Sequence, residues 1–341
     1  MPEHEMERFR IGKLPIKYLD SLLSRISIKD ERVVVGPGIG RDAAVIDFGD
    51  RYLVAKTDPI TLTSSKIGWW GVHINANDVA CLGATPRWFL ATILLPEGKT
   101  DQLLVEEIFS EVILACEELG VSLCGGHTEV TQKLEQPIVV GQMLGEVAKE
   151  RLVDSTKAQA GDEVILVKGI AIEGTSIIAR EKTEELRGKF SEEFINRCRR
   201  FLMEPGISIV KEALLANSLV RIKGMHDPTE GGLWTGLYEL AVATGKGMHI
   251  EADAIAVYPE TELLCQAFGL NPLGLIASGA LLIVAASQDT SRLMAGLGKK
   301  GINSVKIGHL MPQRDGVRIQ REGKLEEIAP LSQDEIARLL G

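Results

Sequence analysis

The sequence lacks the devices that most readily assign a chain of this size. It has only 5% aromatic residues and no excess of positive charge: 38 Lys and Arg against 47 Asp and Glu give a net charge of −9. A nucleic-acid binder relies on Lys and Arg to neutralise phosphates, so that class is disfavoured, although a bridging Mg²⁺ reconciles carboxylates with a nucleotide. The five cysteines (Cys81, Cys116, Cys124, Cys198 and Cys265) form no C-x-x-C pair. That argues against a disulfide framework or a structural zinc site and for a reducing compartment. No apolar run is long enough to span a bilayer, and MPEHEMERFRIGKLPIKYLD has no apolar signal core. A cytoplasmic protein without membrane partners is expected. No G-x-x-x-x-G-K-[ST] occurs, and GPGIG (36–40) stops short of G-x-G-x-x-G because Arg41 stands where the third Gly belongs.

What is present is a well-patterned chain of 341 residues, 45% hydrophobic and rich in Gly (35), long enough for about two domains. A helix is expected over roughly 12–30, then three strands in RVVVG, DAAVIDF and YLVAKTD. Helical spacing covers 67–82 and 101–119, the latter ending at Gly120. Strands are expected at 86–96, 121–126 and 137–147. The polar break AQAGD (158–162) suggests a boundary, dividing the chain into 1–155 and 156–341. The second half reads as a strand at 162–169, a helix from about 173, a charged helix over 181–203, a helix over 205–216, and a loop opening into a helix within 226–245. Its mixed-sign charged stretch reads as a solvated face. Elements of both kinds mix in both halves, which favours α+β.

Acidic residues recur at element ends: Asp42, Asp58 after Thr57, Asp78 in NAND, and Asp227 in HDPTEGG. Mg²⁺ takes hard oxygen ligands, a few from protein and the rest from water or phosphate, so carboxylates on rigid elements suit it. The alternative is local backbone hydrogen bonding, common for Asp at turns. In IGWWGVHINANDVACLGA the polar residues Asn75, Asn77 and Asp78 sit among apolar ones. Buried and unpaired, each would cost about 1–3 kcal/mol, so they meet backbone groups or face a site. Asp227, Pro228 and Glu230 can form a capping box, yet Gly231 and Gly232 then fall in the first helical turn, where glycine is unfavourable. In CGGHTEV, Gly125 and Gly126 suit a sharp turn and His127 can bond a phosphate or a base.

Taken in order, GPGIGRDAAVI, TDPI, NANDVACLGATPRWF, CGGHTEV, KGIAIEGT, MHDPTEGGLW and SGALL resemble the aminoimidazole ribonucleotide synthetase (PurM-like) superfamily. That superfamily also holds thiamine-monophosphate kinase, selenophosphate synthetase and the hydrogenase maturation protein HypE. HDPTEGGL and EGT look most like HypE-like, AIR synthase-related proteins. The resemblance implies an α+β, two-domain architecture. Its N-terminal part is a curved mixed sheet with helices that pairs in a homodimer and binds ATP; its C-terminal part is an α/β-sandwich domain. It implies ATP and Mg²⁺ as cofactors, held by Asp42, Thr57, Asp58, Asn77, Asp78, Gly125, Gly126 and His127, with Asp42, Asp58, Asp78 and Asp227 as metal ligands. His226 and Glu230 are candidates for proton handling. The implied activity is ATP-dependent phosphorylation of an amide, carbamoyl or carbonyl oxygen on a small-molecule or protein-borne substrate. The alternatives are a nucleotide-binding maturation or regulatory partner without turnover, or a small-molecule kinase. Two departures stand out: Arg41 replaces an Asp common in the superfamily, and no Cys follows Cys265, whereas HypE carries its carbamoyl group on a tail cysteine.

Overall fold

A computed structural model describes residues 9, 12–61, 63, 65–331 and 333–340. The first unit is a mixed six-stranded sheet: β1 (Val33–Val35), β2 (Ala44–Asp47), β3 (Arg51–Ile60), β4 (Thr85–Pro96), β5 (Ser122–Thr131) and β6 (Ile138–Ala148). Their order is β1-β2-β3-β6-β4-β5, antiparallel except for the parallel β4–β5 edge. Its helices are α1 (Ile16–Leu23), α2 (Ile67–Cys81) and α3 (Gln102–Leu119). Helix α3 begins where the Asp101 carboxylate accepts from Leu104 N–H at 2.9 Å and ends at left-handed Gly120, as the sequence signals require. Helix α2 is apolar nearly all round, and every one of its residues is buried.

The second unit is a seven-stranded sheet: β7 (Glu163–Val167), β8 (Ile222–His226), β9 (Gly247–Glu251), β10 (Leu281–Ala285), β11 (Ser304–Met311), β12 (Val317–Arg321) and β13 (Lys324–Glu327). The order is β13-β12-β9-β11-β7-β10-β8. The helices of this half are α4 (Ile172–Glu181), α5 (Thr183–Arg187), α6 (Glu192–Arg199), α7 (Val210–Leu219), α8 (Gly232–Thr244), α9 (Pro259–Phe268), α10 (Ser287–Gly298) and α11 (Glu335–Leu340). Among the described residues, none of the helices is long and apolar enough to cross a membrane.

Strand alternation explains how the units join. Ile165, Val167, Leu281 and Ile283 pack into one core with α2 and the first sheet, while Val164, Leu166, Leu282 and Val284 pack into a second core behind. Both faces of the central strands are therefore dry, which is why they read as unbroken apolar runs. Each large side chain so buried contributes about 1.5–3 kcal/mol.

Four sequence expectations need correction. Residues 12–30 yield only an eight-residue helix. The charged stretch 181–203 breaks at Gly188 into α5, α6 and a 3-10 turn, because Ser191 caps a new helix by accepting from Phe194 N–H at 3.2 Å. The helix expected from 205 starts at Val210, since Pro205 and left-handed Gly206 (φ 84°) hold the preceding chain out of helical geometry. Gly125 and Gly126 form no turn: they lie inside β5 at φ 141° and 151°. A Cβ on Gly126 would stand 1.9 Å from the Ala91 carbonyl oxygen, so glycine serves here to bring β5 against β4.

Candidate functional site

A cavity of about 480 Å³ opens where the first sheet, the β8–α8 loop and the N-terminal segment meet. It gathers residues far apart in sequence: Lys13, Asp42, Lys56, Asp58, Asp78, Glu173, His226, Asp227, Glu230, Glu239 and Asp334. A second cavity, of about 370 Å³ and near Arg51 and Arg87, holds side chains already paired with Glu146.

Each element delivers its residues for a local reason. Along β3 the side chains alternate, so Lys56 and Asp58 share the cavity face. Thr57 points the other way and donates its hydroxyl to Gly141 O at 2.9 Å. On α2, Ile74 and Asp78 are one turn apart and both reach the cavity. Asn75 turns toward β3. Its Oδ1 accepts from Asp58 N–H at 2.8 Å, and its Nδ2 donates to Asp58 O at 3.2 Å and Gly71 O at 2.8 Å, clamping the backbone that carries Asp58. Asn77 bonds the other unit instead, donating to Ile207 O at 2.8 Å and accepting from Ile209 N–H at 2.9 Å. Both amides are satisfied by backbone, and Asp78 is the member of the group left for the cavity.

The capping box expected at HDPTEGG does not form. Helix α8 starts at Gly232, after Gly231 in the left-handed region (φ 80°). The Gly231 N–H is taken by Asp334 at 2.5 Å; the same carboxylate accepts from Ile276 at 3.3 Å and Ile336 at 2.6 Å. With α8 starting five residues after it, Asp227 is not in a position to cap the helix. A Cβ on Gly232 would meet Leu273 O at 2.5 Å, so another backbone passes close by there.

The chemistry of the pocket is an imbalance of charge. Eight carboxylates line it (Asp42, Asp58, Asp78, Glu173, Asp227, Glu230, Glu239 and Asp334), against Lys13, Arg41, Lys56 and His226. His226 is buried, with Nδ1 2.8 Å from Asp42 Oδ1 and Nε2 3.0 Å from Glu239 Oε2. Burial opposes its charge, but Asp42 and Glu239 outweigh it and hold the ring well above the usual imidazole range. Both nitrogens are engaged, so His226 positions its neighbours and has no ring atom spare for proton transfer. Burial would lift Glu239, yet Lys13 and His226 bring it down to about 2. Lys56 bridges Asp58 at 3.1 Å and Asp78 at 3.3 Å. Lys13 approaches Thr229 Oγ1 at 3.1 Å, Glu239 at 3.5 Å and Glu230 at 3.6 Å.

Three groups remain under-compensated. Burial, reinforced by Asp42, pushes Asp227 up to about 7, and its Oδ2 has no partner. Burial also holds Asp78 well above the carboxylate range and raises Glu173 to about 8, with Glu173 Oε2 unpartnered. An orphaned, fully buried carboxylate oxygen within a hard-oxygen donor set is what a divalent cation would satisfy, so the residues present fit Mg²⁺.

Of the residues singled out from sequence, Asp42, Asp58, Asp78, His226, Asp227 and Glu230 meet in the cavity. Thr57, Asn77, Gly125, Gly126 and His127 do not line it; the last three sit on exposed edge strand β5, where His127 pairs with Glu129 at 3.1 Å. Sequence reasoning missed Lys13, Lys56, Glu173, Glu239 and Asp334. Two of these carried a signal: Lys56 through its two-residue offset from Asp58, and Glu173 as the acid of the EGT segment.

Two family models match the chain: the AIR synthase related protein N-terminal domain over residues 40–147, and the C-terminal domain of the same family over 159–320. A putative hydrogenase expression/formation protein of Methanocaldococcus jannaschii is 26% identical over 318 residues, covering 89% of this chain and 91% of the relative. Carbamoyl dehydratase HypE of Cupriavidus necator is 28% identical over 269 residues, 76% of this chain and 72% of the relative. A crystal structure of hydrogenase maturation protein HypE in complex with ATP superposes with a TM-score of 0.67 at 22% identity, over 95% of this chain and 92% of that one. The likeness is one of fold: two mixed α+β units in the same architecture.

Proposed function

The chain belongs to the AIR synthase-related family, and from that premise we propose that it is an ATP- and Mg²⁺-dependent enzyme that phosphorylates an amide, carbamoyl or carbonyl oxygen. One observation carries the reading: Asp42, Asp58, Asp78 and Asp227, from four separate segments, converge on one cavity that also holds lysines. The relatives' names support the carbamoyl end of the range, and the ATP bound by a protein of the same fold supports the nucleotide.

When bound, Mg²⁺–ATP supplies a γ-phosphoryl group that turns a poor leaving oxygen into a good one. Phosphoryl transfer asks a protein mainly for positioning and charge stabilisation. Asp42, Asp58, Asp78 and Asp227 are the residues that would hold the metal. Lys56 and Lys13 offer cationic hydrogen-bond donors to phosphate oxygens. His226 fixes Asp42, and the Asn75 amide fixes the Asp58 backbone. Glu230 is the partly exposed carboxylate at the rim suited to handling a substrate proton.

The unpaired edge of β5, exposed from Ser122 to Val130 and carrying Leu123 and Val130, supports homodimer formation along that strand. Light scattering on the purified chain tests it: a monomeric mass at micromolar concentration rejects the dimer. For the site, Mg²⁺ with ATP should raise the melting temperature, and Asp78→Ala should erase the rise. Phosphate release with carbamoyl or amide substrates then separates an enzyme from a nucleotide-binding partner without turnover.

A further inference from the structure

Glu173, in the first turn of α4, and Ser278, just before β10, both line the cavity from the second unit. They are 7% and 1% exposed, and Glu173 Oε2 and Ser278 Oγ have no hydrogen-bond partner. Buried polar atoms are costly to leave unpaired, so a pair of them on a cavity wall asks for a guest. The backbone holds the two segments together at some expense. Ala171 enters α4 in the left-handed region (φ 56°), which a residue with a Cβ disfavours. Gly174 N–H donates to Ile276 O at 3.2 Å, and a Cβ on Gly174 would stand 2.4 Å from Leu275 Cγ. We propose that Glu173 and Ser278 form the acceptor subsite of the cavity and select an uncharged primary amide or carbamoyl group by accepting hydrogen bonds from its –NH₂ end.

The charge around the pair favours a neutral guest. The titratable groups that act on Glu173 are Glu230 and Asp334, both acids. A carboxylate or phosphate placed here would be repelled. A cation is not called for either: Asp334 already accepts from the backbone N–H groups of Gly231, Ile276 and Ile336, and Glu230 has Lys13 at 3.6 Å. Burial raises the Glu173 carboxyl to about 8, so the guest meets a neutral acid. A primary amide or carbamoyl end brings two N–H donors and no net charge. Held by its nitrogen, it leaves the carbonyl oxygen free to meet the phosphoryl donor. The inference rests on the reading of the cavity as a site of ATP-dependent activation of such an oxygen, and adds the residues that choose the acceptor.

The test is saturation-transfer NMR on the full chain, free of nucleotide, with three probes of one shape: phenylacetamide, N,N-dimethylphenylacetamide and phenylacetate. The wild type should bind phenylacetamide about tenfold more tightly than the dimethyl analogue, which has no N–H to donate. Phenylacetate should show no saturable binding. Glu173→Leu and Ser278→Ala should each lower the amide-to-dimethyl ratio by about threefold or more, whereas a merely structural defect weakens both amides alike. Glu173→Gln keeps the neutral shape and an acceptor oxygen, and should keep the ratio. The proposal is overturned by any of four results: no saturable amide binding in the wild type, phenylacetate bound as tightly as the amide, a ratio untouched in both Glu173→Leu and Ser278→Ala, or a ratio lost in Glu173→Gln as well. Calorimetry with Mg²⁺–ATP separates the two readings. ATP binding beside amide binding indifferent to Glu173 and Ser278 removes this inference and leaves the proposed function standing; amide selection that depends on both residues in a chain that never binds ATP does the reverse.

Discussion

His226 on β8 and Asp42 at the head of β2 are 184 residues apart, yet their side chains meet at 2.8 Å. The contact joins the two sheets at the cavity, and Glu239 completes it at 3.0 Å on the other ring nitrogen. The ring is therefore a buried cation between two buried carboxylates. Replacing it by Ala leaves both carboxylates without their shared partner. Breaking a buried pair in this way costs about 3–5 kcal/mol, more than the contact itself is worth, because uncompensated charge stays behind. His226→Ala should lower the unfolding free energy by that amount in urea titrations. A loss below about 1 kcal/mol would show that the ring is not charged between them.

Lys13 reaches the cavity from the N-terminal segment and touches Thr229, Glu230 and Glu239, all beyond β8. Its side chain is 43% exposed, so its pair with Glu230 at the rim contributes little, but with His226 it compensates buried Glu239 and so also supports the fold. The same position suits an ammonium that serves a bound anion. Lys13→Met should weaken Mg²⁺–ATP binding about tenfold, about 1.4 kcal/mol, by calorimetry. The melting temperature without nucleotide should fall modestly, because buried Glu239 loses one of its two cationic partners. Equal ATP affinity in the variant would take Lys13 out of the site.

Glu173 supplies a pH signature. Its carboxyl is buried, one oxygen has no partner, and burial raises it from 4.5 to about 8. The folded chain thus keeps this proton to a higher pH than the unfolded chain. Between about pH 5 and 8 the native state binds more protons at this group, so its contribution to stability falls as pH rises, by on the order of 1 kcal/mol per pH unit. Glu173→Gln preserves the neutral shape and removes the titration. Stability of the wild type minus that of Glu173→Gln should decline across that window in denaturant titrations at fixed pH values. A difference independent of pH would mean that Glu173 is ionised throughout.

Much of this arrangement is legible in the sequence, and the failures share a physical cause. Apolar periodicity locates α2, α3 and the paired central strands because burial itself writes that pattern. Asp78 stands out because an acid among apolar helix residues needs a reason. Thr57 goes astray because a strand turns alternate residues to opposite faces: next to Asp58 in sequence means across the sheet from it in space. Asp227 reads as a helix cap because Asp-Pro-x-Glu is a helix-start pattern, but left-handed Gly231 delays α8 to Gly232, and Asp334, more than 100 residues later, takes the Gly231 N–H there. Glu173 sits in the EGT segment that carries part of the resemblance, but nothing local marks it as a cavity acid; Glu239 and Asp334 lie in ordinary surroundings, and only tertiary assembly brings all three to the cavity.

The glycine pair of β5 allows the sharpest separation of backbone from packing effects. Gly125 and Gly126 are adjacent, both at positive φ in one exposed strand, and both candidates from sequence for contacting nucleotide. An added Cβ meets nothing within 4 Å at Gly125, whereas at Gly126 it collides with Ala91 O at 1.9 Å. Gly125→Ala should therefore cost only the backbone strain, about 1 kcal/mol. Gly126→Ala must also push β5 away from β4 and should cost at least about 2 kcal/mol more, as overpacking does. Amide hydrogen exchange should show the break as lost protection along β5 in Gly126→Ala but not in Gly125→Ala. Because neither residue lines the cavity, Mg²⁺–ATP binding by the folded monomeric fraction should be unchanged in both. If Gly125→Ala instead abolishes binding while its exchange pattern stays native, β5 contributes directly to the nucleotide site, as the resemblance implies, through contact between copies.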